Sequence, residues 1–491
     1  MKHVVVPTSP TLVQRALAGH AAIGLIVGGL LYIIALSGML VVIHERWQRW
    51  EQPAMPEMTT IAPPAVARAA AAGMAKDAGK PRTTHLYVHM PTDALPRTVV
   101  TTDHGAIYVD RDGRAVGPEA HGWTEFLIGL HEYLHMPMTV GLIVGGALGV
   151  MLAALAITGV VAHPRILRDA FRMRVRGDRQ IAQADWHNRL GVWTLPFVVT
   201  LGLTGAFVGL ASVNVTLLAR AYHGGDMLRV YAPLFGAEGK VDARPAPMAG
   251  VAEALTTLRA RFPEVVPTYV TIEDPGTRGQ RISILADHTR RLIFGETYRF
   301  DGAGRFVDKL GLSDGALGQQ AAASAYRLHF GSFGGLAVEL AYIAFGLALC
   351  VVTATGMSLW LQKRRRRGLA SPRLEAFWTI IVWGVPILIV ALLWLRAAGG
   401  AALPFGMLFW IGLGTTLLAG MARPARVRAP TLRRVLAAAT ALTAIGHLAI
   451  AAPFRPEVIA IDIALLIVAA ALIRIDGGLR PFAARRAESF S

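Results

Sequence analysis

The sequence predicts an all-α polytopic membrane protein of about eight transmembrane helices with a duplicated four-helix core, plus two α+β modules outside the bilayer. Three observations predict it. The 491 residues are 54% hydrophobic and only 16% charged, whereas about a quarter of the residues of a soluble domain carry charge. Apolar runs of the roughly 17–25 residues that cross a hydrocarbon core about 30 Å thick recur near 19–43, 138–162, 190–212, 334–360, 376–395, 403–421, 434–452 and 457–473. The first four runs, with the polar segments between them, repeat one another in order.

The first run has no charged residue from 16 to 43. It is too long for a signal-peptide core and no small-residue cleavage site follows, so it reads as an uncleaved helix. Basic residues then fix the orientation. Arg165, Arg168, Arg172, Arg174, Arg176 and Arg179 fill one short loop, and further clusters lie at 363–367, 423–434 and 474–486, whereas the loops at 396–402 and 452–457 carry only Arg396 and Arg455. By the positive-inside rule the basic loops and both termini are cytoplasmic, and the large polar segments are periplasmic across a bacterial inner membrane. The net charge of +17 thereby reads as topology and contact with membrane lipid, not as nucleic-acid binding. Cys350 is the sole cysteine, which excludes a disulfide, a cysteine-ligated cluster and c-type haem attachment within one chain.

The expected organisation is a cytoplasmic tail and first helix at 1–44, a periplasmic module at 45–133, two helices around the basic loop at 134–212, a second periplasmic module at 213–330, a fourth helix at 331–362, and an appended four-helix membrane region at 363–491. In the second module an amphipathic run at 251–262 precedes strand-like segments at 268–272, 281–286 and 291–294, separated by Gly and Asp. That pattern predicts a helix on an antiparallel sheet.

Internal comparison supports the duplication. Tyr108-Val-Asp-Arg-Asp-Gly-Arg-Ala-Val116 resembles Arg299-Phe-Asp-Gly-Ala-Gly-Arg-Phe-Val307 at a constant offset of 191. His20, Gly24 and Ser37-Gly38 correspond to His187, Gly191 and Thr204-Gly205 at an offset of 167. His131 with Thr158-Gly159 corresponds to His329 with Thr355-Gly356 at offsets of 198 and 197. The last four runs show no such pattern.

The repeated histidines carry the candidate chemistry. His20, His163 and His187 fall at the cytoplasmic face, and His44, His131, His135 and His329 at the periplasmic face, His329 at the outer end of the fourth helix. Ionisable groups at membrane depth are costly and mark functional sites, and imidazole is a common axial ligand of non-covalent b-type haem. If the two halves pack about a pseudo-twofold axis normal to the membrane, His20 pairs with His187 and His131 with His329. Two haems, one near each face, would form an electron path across the bilayer. His135 shares a helix face with His131, and either it or His44 is an alternative outer ligand. The Ser/Thr-Gly pairs fit close approach of a macrocycle or plain helix packing, and Arg15, Arg189 and Arg327 are candidates to pair haem propionates. Glu339 and Asp462 fall inside apolar runs, the first as a candidate proton carrier and the second near enough to the outer face to stay hydrated; His447 reads as structural. His85, His89, His104 and His121 match no tight metal-binding spacing and read as solvated surface. Gly28-Gly29 and Gly145-Gly146 lie in apolar helices, which excludes a dinucleotide fold there.

Trp186-His-Asn-Arg-Leu-Gly-Val-Trp-Thr-Leu-Pro196 leading to Leu203-Thr-Gly205, Leu328-His-Phe-Gly-Ser-Phe-Gly-Gly335, and Thr158-Gly through His163-Pro-Arg165 resemble the PepSY-associated transmembrane proteins, also called iron-regulated membrane proteins. The resemblance covers about 15–365 and includes PepSY-like modules ending in Tyr/Phe-x-Asp-x-x-Gly-Arg. It implies a haem-carrying inner-membrane ferric-siderophore reductase, an oxidoreductase of b-type cytochrome character that reduces periplasmic Fe(III). The matching histidines are His20, His131, His187 and His329, and the electron donor would be a cytoplasmic reductase or membrane quinol. The appended helices and His163-Pro164, where such proteins often carry an aromatic residue before the proline, depart from the pattern. The rival expectations are a transporter of iron complexes, which the apparent lack of broken helices disfavours, and a non-catalytic PepSY regulator of periplasmic proteolysis.

Overall fold

The structure is a computed structural model that describes residues 11–163, 165, 168, 170–171, 179–236, 242–450 and 453–477. Of the expected cytoplasmic cations, Arg172, Arg174, Arg176, Arg480, Arg485 and Arg486 lie outside the described residues, as does the end of the run at 434–452. The helices are α1 (Leu12–Val41), α2 (His44–Glu51), α3 (Pro63–Lys76), α4 (Gly122–Glu132), α5 (Met138–Ala162), α6 (Arg179–Trp193), α7 (Leu195–Gly209), α8 (Ala211–Tyr222), α9 (Met227–Phe235), α10 (Val251–Arg261), α11 (Leu317–Phe330), α12 (Gly335–Arg366), α13 (Pro372–Gly399), α14 (Phe405–Ala422), α15 (Ala429–Ile450) and α16 (Pro456–Gly477). The chain divides into two units. One gathers α1, Gly122–Gly209 and the chain from Ala341, and the other comprises Val42–His121 and Leu210–Leu340.

The first unit is helical, and the protein is a polytopic membrane protein. Among the described residues α1, α5, α12, α13, α14 and α16 are each long and apolar enough to span a bilayer. Their outward side chains, such as Ile157, Leu347, Met407, Leu418 and Ile467, are exposed apolar groups suited to hydrocarbon. Where one straight span is expected at 190–212, the chain instead forms α6 and α7, bent by 65°. Pro196 explains the break, because it has no N–H to give and its ring blocks the carbonyl four residues earlier. Thr194 closes the end of α6, its N–H and hydroxyl both donating to the Leu190 carbonyl at 2.9 and 2.7 Å. The expected span at 434–452 is helical as α15 within the described residues.

Small residues let these helices approach closely. A Cβ on Gly149 would stand 2.7 Å from the Ala206 nitrogen, one on Gly202 3.0 Å from the Ala153 nitrogen, and one on Gly209 2.6 Å from the Gly146 nitrogen. The α5–α7 contact is thus a backbone-to-backbone seam, which supplies van der Waals contact where no hydrophobic effect separates helix from lipid. The last helices do not stand apart from the others. Tyr32 in α1 donates to the Val382 carbonyl of α13 at 2.8 Å, Trp378 to the Ala354 carbonyl of α12 at 3.2 Å, and Trp123 in α4 to the Ile389 carbonyl at 3.0 Å.

The second unit corrects the picture of two separate modules. Strands β1 (His85–His89), β2 (Thr98–Thr102), β3 (Gly105–Val109), β4 (Ala115–Pro118), β5 (Val265–Glu273), β6 (Arg281–His288), β7 (Glu296–Phe300) and β8 (Phe306–Lys309) form one antiparallel sheet in the order β4-β3-β2-β1-β5-β6-β7-β8. β1 and β5, from segments far apart in sequence, pair from His85 opposite Glu273 to His89 opposite Tyr269. Each would otherwise present an edge of unpaired backbone groups. Leu86, Val88, Val270, Ile272, Ile282, Ile284, Tyr298 and Phe300 share one buried core with Val66, Ala69, Leu255 and Leu258 of α3 and α10. The strand expected at 291–294 is a turn, and β7 begins at Glu296, where alternate residues Glu296, Tyr298 and Phe300 are buried. Glu296 is wholly buried, its carboxylate accepting from the N–H groups of Gly311, Leu312 and Ser313 at 2.9–3.2 Å and from the Ser313 hydroxyl at 2.7 Å.

The repeated Asp-x-x-Gly-Arg motif makes the same turn twice. Between β3 and β4 the Asp110 carboxylate caps the N–H groups of Asp112 and Arg114, and between β7 and β8 Asp301 caps those of Ala303 and Arg305. Gly113 and Gly304 both have φ +80°, and a Cβ would meet the Ala65 carbonyl oxygen at 2.1 Å or the Gly250 carbonyl oxygen at 2.4 Å. Each turn therefore seats its sheet end against α3 or the start of α10. Gly113→Ala combines left-handed strain with a backbone clash and is expected to cost about 2–4 kcal/mol. A thermal melt in detergent should show a clear fall in midpoint beside Gly318→Ala, where a Cβ meets nothing within 4 Å; equal midpoints would contradict the seat.

Candidate functional site

His20 on α1 lies against α5. Its Nδ1 is 3.1 Å from the Leu155 carbonyl and 3.3 Å from the Thr158 hydroxyl. A carbonyl only accepts, so Nδ1 carries the hydrogen and Nε2 keeps a lone pair. His187 on α6 repeats this arrangement on α12, with Nδ1 2.9 Å from the Val352 carbonyl and 3.4 Å from the Thr355 hydroxyl. Each threonine hydroxyl also donates to a carbonyl of its own helix, Ala154 or Val351, at 2.6 Å. The glycine after each threonine makes room for the ring. A Cβ on Gly159 would stand 3.3 Å from His20 Cε1, and one on Gly356 3.0 Å from His187 Cε1.

The two rings face one another with centroids 6.2 Å apart and planes at 83°. They line a cavity of about 460 Å³ whose walls also include Gly28 and Gly191, where a Cβ would meet nothing within 4 Å. A metal–imidazole bond is about 2 Å and the nitrogen lies about 1.1 Å from the ring centre, so two imidazoles on opposite sides of one metal have centroids about 6 Å apart. The donor set, two imidazoles with Nε2 unprotonated, the glycines beside the rings and the largely apolar walls therefore fit what a bis-histidine haem would require. Among the described residues no group of three or more His, Cys, Asp or Glu is placed to hold a metal ion, but two protein ligands suffice where a macrocycle supplies the other four.

A third histidine has the same seat. His131 on α4 directs Nδ1 to the Ile34 carbonyl of α1 at 3.1 Å, and a Cβ on Gly38 would come within 2.7 Å of its Cε1. Three of the Ser/Thr-Gly pairs, Ser37-Gly38, Thr158-Gly159 and Thr355-Gly356, are thus histidine seats, each serving a histidine from another helix.

Residues 17–363 match the family described as PepSY-associated TM region. The chain belongs to that family. It is also similar to an uncharacterized protein of Pseudomonas aeruginosa, 28% identical over 259 residues that cover 49% of this chain and 64% of the relative, so the chain spans less than two thirds of that protein's length. The PepSY-associated match takes in all three seated histidines and ends at Lys363, before α13–α16.

The remaining candidates of this PepSY-associated chain take other places. His329 lies in α11, a separate helix that ends at left-handed Gly331, and not at the end of α12; its ring meets Phe330 edge-on at 5.8 Å. His44 is the first residue of α2 in the second unit. His135 is a packing residue: its Nε2 bonds the Phe126 carbonyl at 2.8 Å, its ring stacks on Phe126, and it fills the space left by Gly406. Of the arginines, Arg327 holds the Asp287 carboxylate, Arg189 lies buried 3.9 Å from Asp185, and Arg15 is exposed and not part of the cavity wall. Glu339 forms a two-pronged ion pair with Arg46, at 2.6 and 3.2 Å. Asp462 is not hydrated but fully buried, and its carboxylate meets His447 Nδ1 at 2.9 Å. Both residues stand out in the sequence but their pairing does not, because i to i+15 contacts across a helix hairpin leave no spacing signal.

In the second unit, His85 stacks on Tyr87, His104 Nε2 bonds the Pro81 carbonyl at 2.6 Å, and His121 lies 2.8 Å from Glu119. Neither His121 nor His89 is solvated surface: His121 is buried, and His89 is largely covered beside Tyr269, with Glu45 at 3.9 Å. Burial pulls its pKa below the ordinary 6.5, and Glu45 and Glu119 partly offset this. As pH falls through 6.5 the unfolded chain takes up this proton before the folded one, so stability falls. NMR titration of His89 should give a midpoint below 6.5, lower still in Glu45→Gln; an unchanged or higher midpoint in that variant would remove the assigned role of Glu45.

Proposed function

We propose that this chain is an inner-membrane, haem-dependent reductase that passes electrons from the cytoplasmic side to ferric-siderophore iron in the periplasm. The observation that carries the reading is the pair His20 and His187, tautomers fixed by the Leu155 and Val352 carbonyls and ring centroids 6.2 Å apart. A b-type haem held there would supply reversible one-electron exchange at its iron. The protein's own part is to fix both imidazoles through backbone carbonyls, to keep the seat open with Gly159 and Gly356, and to exclude water with the apolar walls.

The sequence repeat extends the same reading to His131 and His329 as ligands of a second haem, and the Gly38 seat of His131 supports it from one side. The basic loops support an orientation with His20 and His187 toward the cytoplasm and both termini inside. Electrons would then come from a cytoplasmic reductase or from membrane quinol. The recurrence of the Asp110 and Asp301 turns supports two PepSY-like halves, which we assign to docking the ferric chelate. With α6–α7 and α15 counted, the spans number about eight.

The bend between α6 and α7 gives a second reading, a transporter of iron complexes, its one structural footing. The test separates them. Detergent-purified protein made with ample haem should show a b-type reduced-minus-oxidised spectrum and about two haems per chain by pyridine haemochrome, falling by about one in His187→Ala. Haem-free protein that still carries iron chelate into vesicles would establish the transporter instead.

A further inference from the structure

Three observations converge on the mouth of the His20–His187 cavity. First, besides His20 and His187, its wall includes two further cationic or cation-forming side chains, His163 and Lys363, together with Asn188. Second, both are exposed, and neither joins an ion pair among the described residues. Other cations nearby are engaged: Arg364 over the Trp360 ring at 4.9 Å, Arg365 with Glu375, and Arg189 near Asp185. Third, His163 and Lys363 lie beyond the histidine seats in the same chain direction. His163 follows Gly159 by four residues and Lys363 follows Gly356 by seven, which is about 6 and about 10 Å along the helix axes at 1.5 Å per residue. Both spacings return to the helix face that holds the seat.

We infer that Lys363 and His163 bind the two carboxylates of the tetrapyrrole, orienting its polar edge toward the basic end of α5 and α12. This rests on the haem reading above and replaces the arginines expected from sequence. The physical case is the cost of burying a carboxylate without a countercharge. The tetrapyrrole's apolar edges fit the Leu, Val and Gly walls, and its two anionic arms need cations at a single edge. Lys363 supplies a fixed positive charge and three donors, and Asn188 a neutral donor. His163 adds a ring N–H donor on the other side of the same edge.

The experiment compares ferric protoporphyrin IX with its dimethyl ester, added to haem-depleted full-length protein and followed by absorbance and by dissociation rate. The wild type should hold the free acid at least about tenfold more tightly than the ester. Lys363→Gln should lose most of that preference with ester affinity unchanged, and His163→Phe should lose a smaller part of it, again with ester affinity unchanged. Equal affinity for acid and ester in the wild type, with His187→Ala abolishing both, would overturn the carboxylate assignment and leave the haem site standing. Binding that is indifferent to His187→Ala would overturn the haem reading itself. Lys363→Gln weakening acid and ester alike would assign Lys363 to the fold or to lipid headgroups, and so also overturn the proposal.

Discussion

Hydrocarbon offers no hydrogen bonds, so every polar group placed among the spanning helices must find its partner inside the protein. The seated histidines meet this demand in one way. The carbonyls of Leu155 and Val352 accept from the helix, from the threonine one turn on and from an imidazole of another helix. A carbonyl has two lone pairs and Thr158 and Thr355 bend back toward it, so the imidazole is held by groups that are already rigid. The consequence for chemistry is the tautomer. With Nδ1 committed to the backbone, Nε2 is the only nitrogen that can face a metal.

The same rule accounts for the charges that look misplaced in the sequence. Glu339 at the start of α12 is answered by Arg46, and Asp462 in α16 by His447. Removing one partner of such a pair leaves an uncompensated charge in a poor solvent, which costs about 3–5 kcal/mol. In the sheet unit Glu296 is met by four N–H groups and a hydroxyl, a neutral nest serving the same purpose.

Glycine decides where close approach is possible. Gly159, Gly356 and Gly38 admit rings, Gly149, Gly202 and Gly209 admit a neighbouring backbone, and Gly113 and Gly304 close turns that press against helices. One residue type thus fixes the histidine seats, the helix seam and the sheet ends. The ring seat recurs at Gly159 and Gly356, and the turn recurs at Gly113 and Gly304.

The sequence by itself determined that the chain crosses a membrane, because the length of an apolar run and the placement of arginines are local properties that bilayer thickness and charge act on directly. It also marked His20, His187 and His131, because histidine at membrane depth is costly enough to be noticed, and the 191-residue offset revealed both Asp-x-x-Gly-Arg turns. Only the tertiary structure decided which carbonyl and which glycine each histidine meets, that Asp462 belongs to His447, and that His135 is a packing residue. It alone joined β1 to β5, since strand edges carry the same backbone groups whatever their side chains. It also split the span at 190–212, where Pro196 is visible in sequence but its 65° consequence depends on what the two pieces pack against. Partners far apart in the chain leave no periodicity, and their pairing is fixed by the packing of helices and strands against one another.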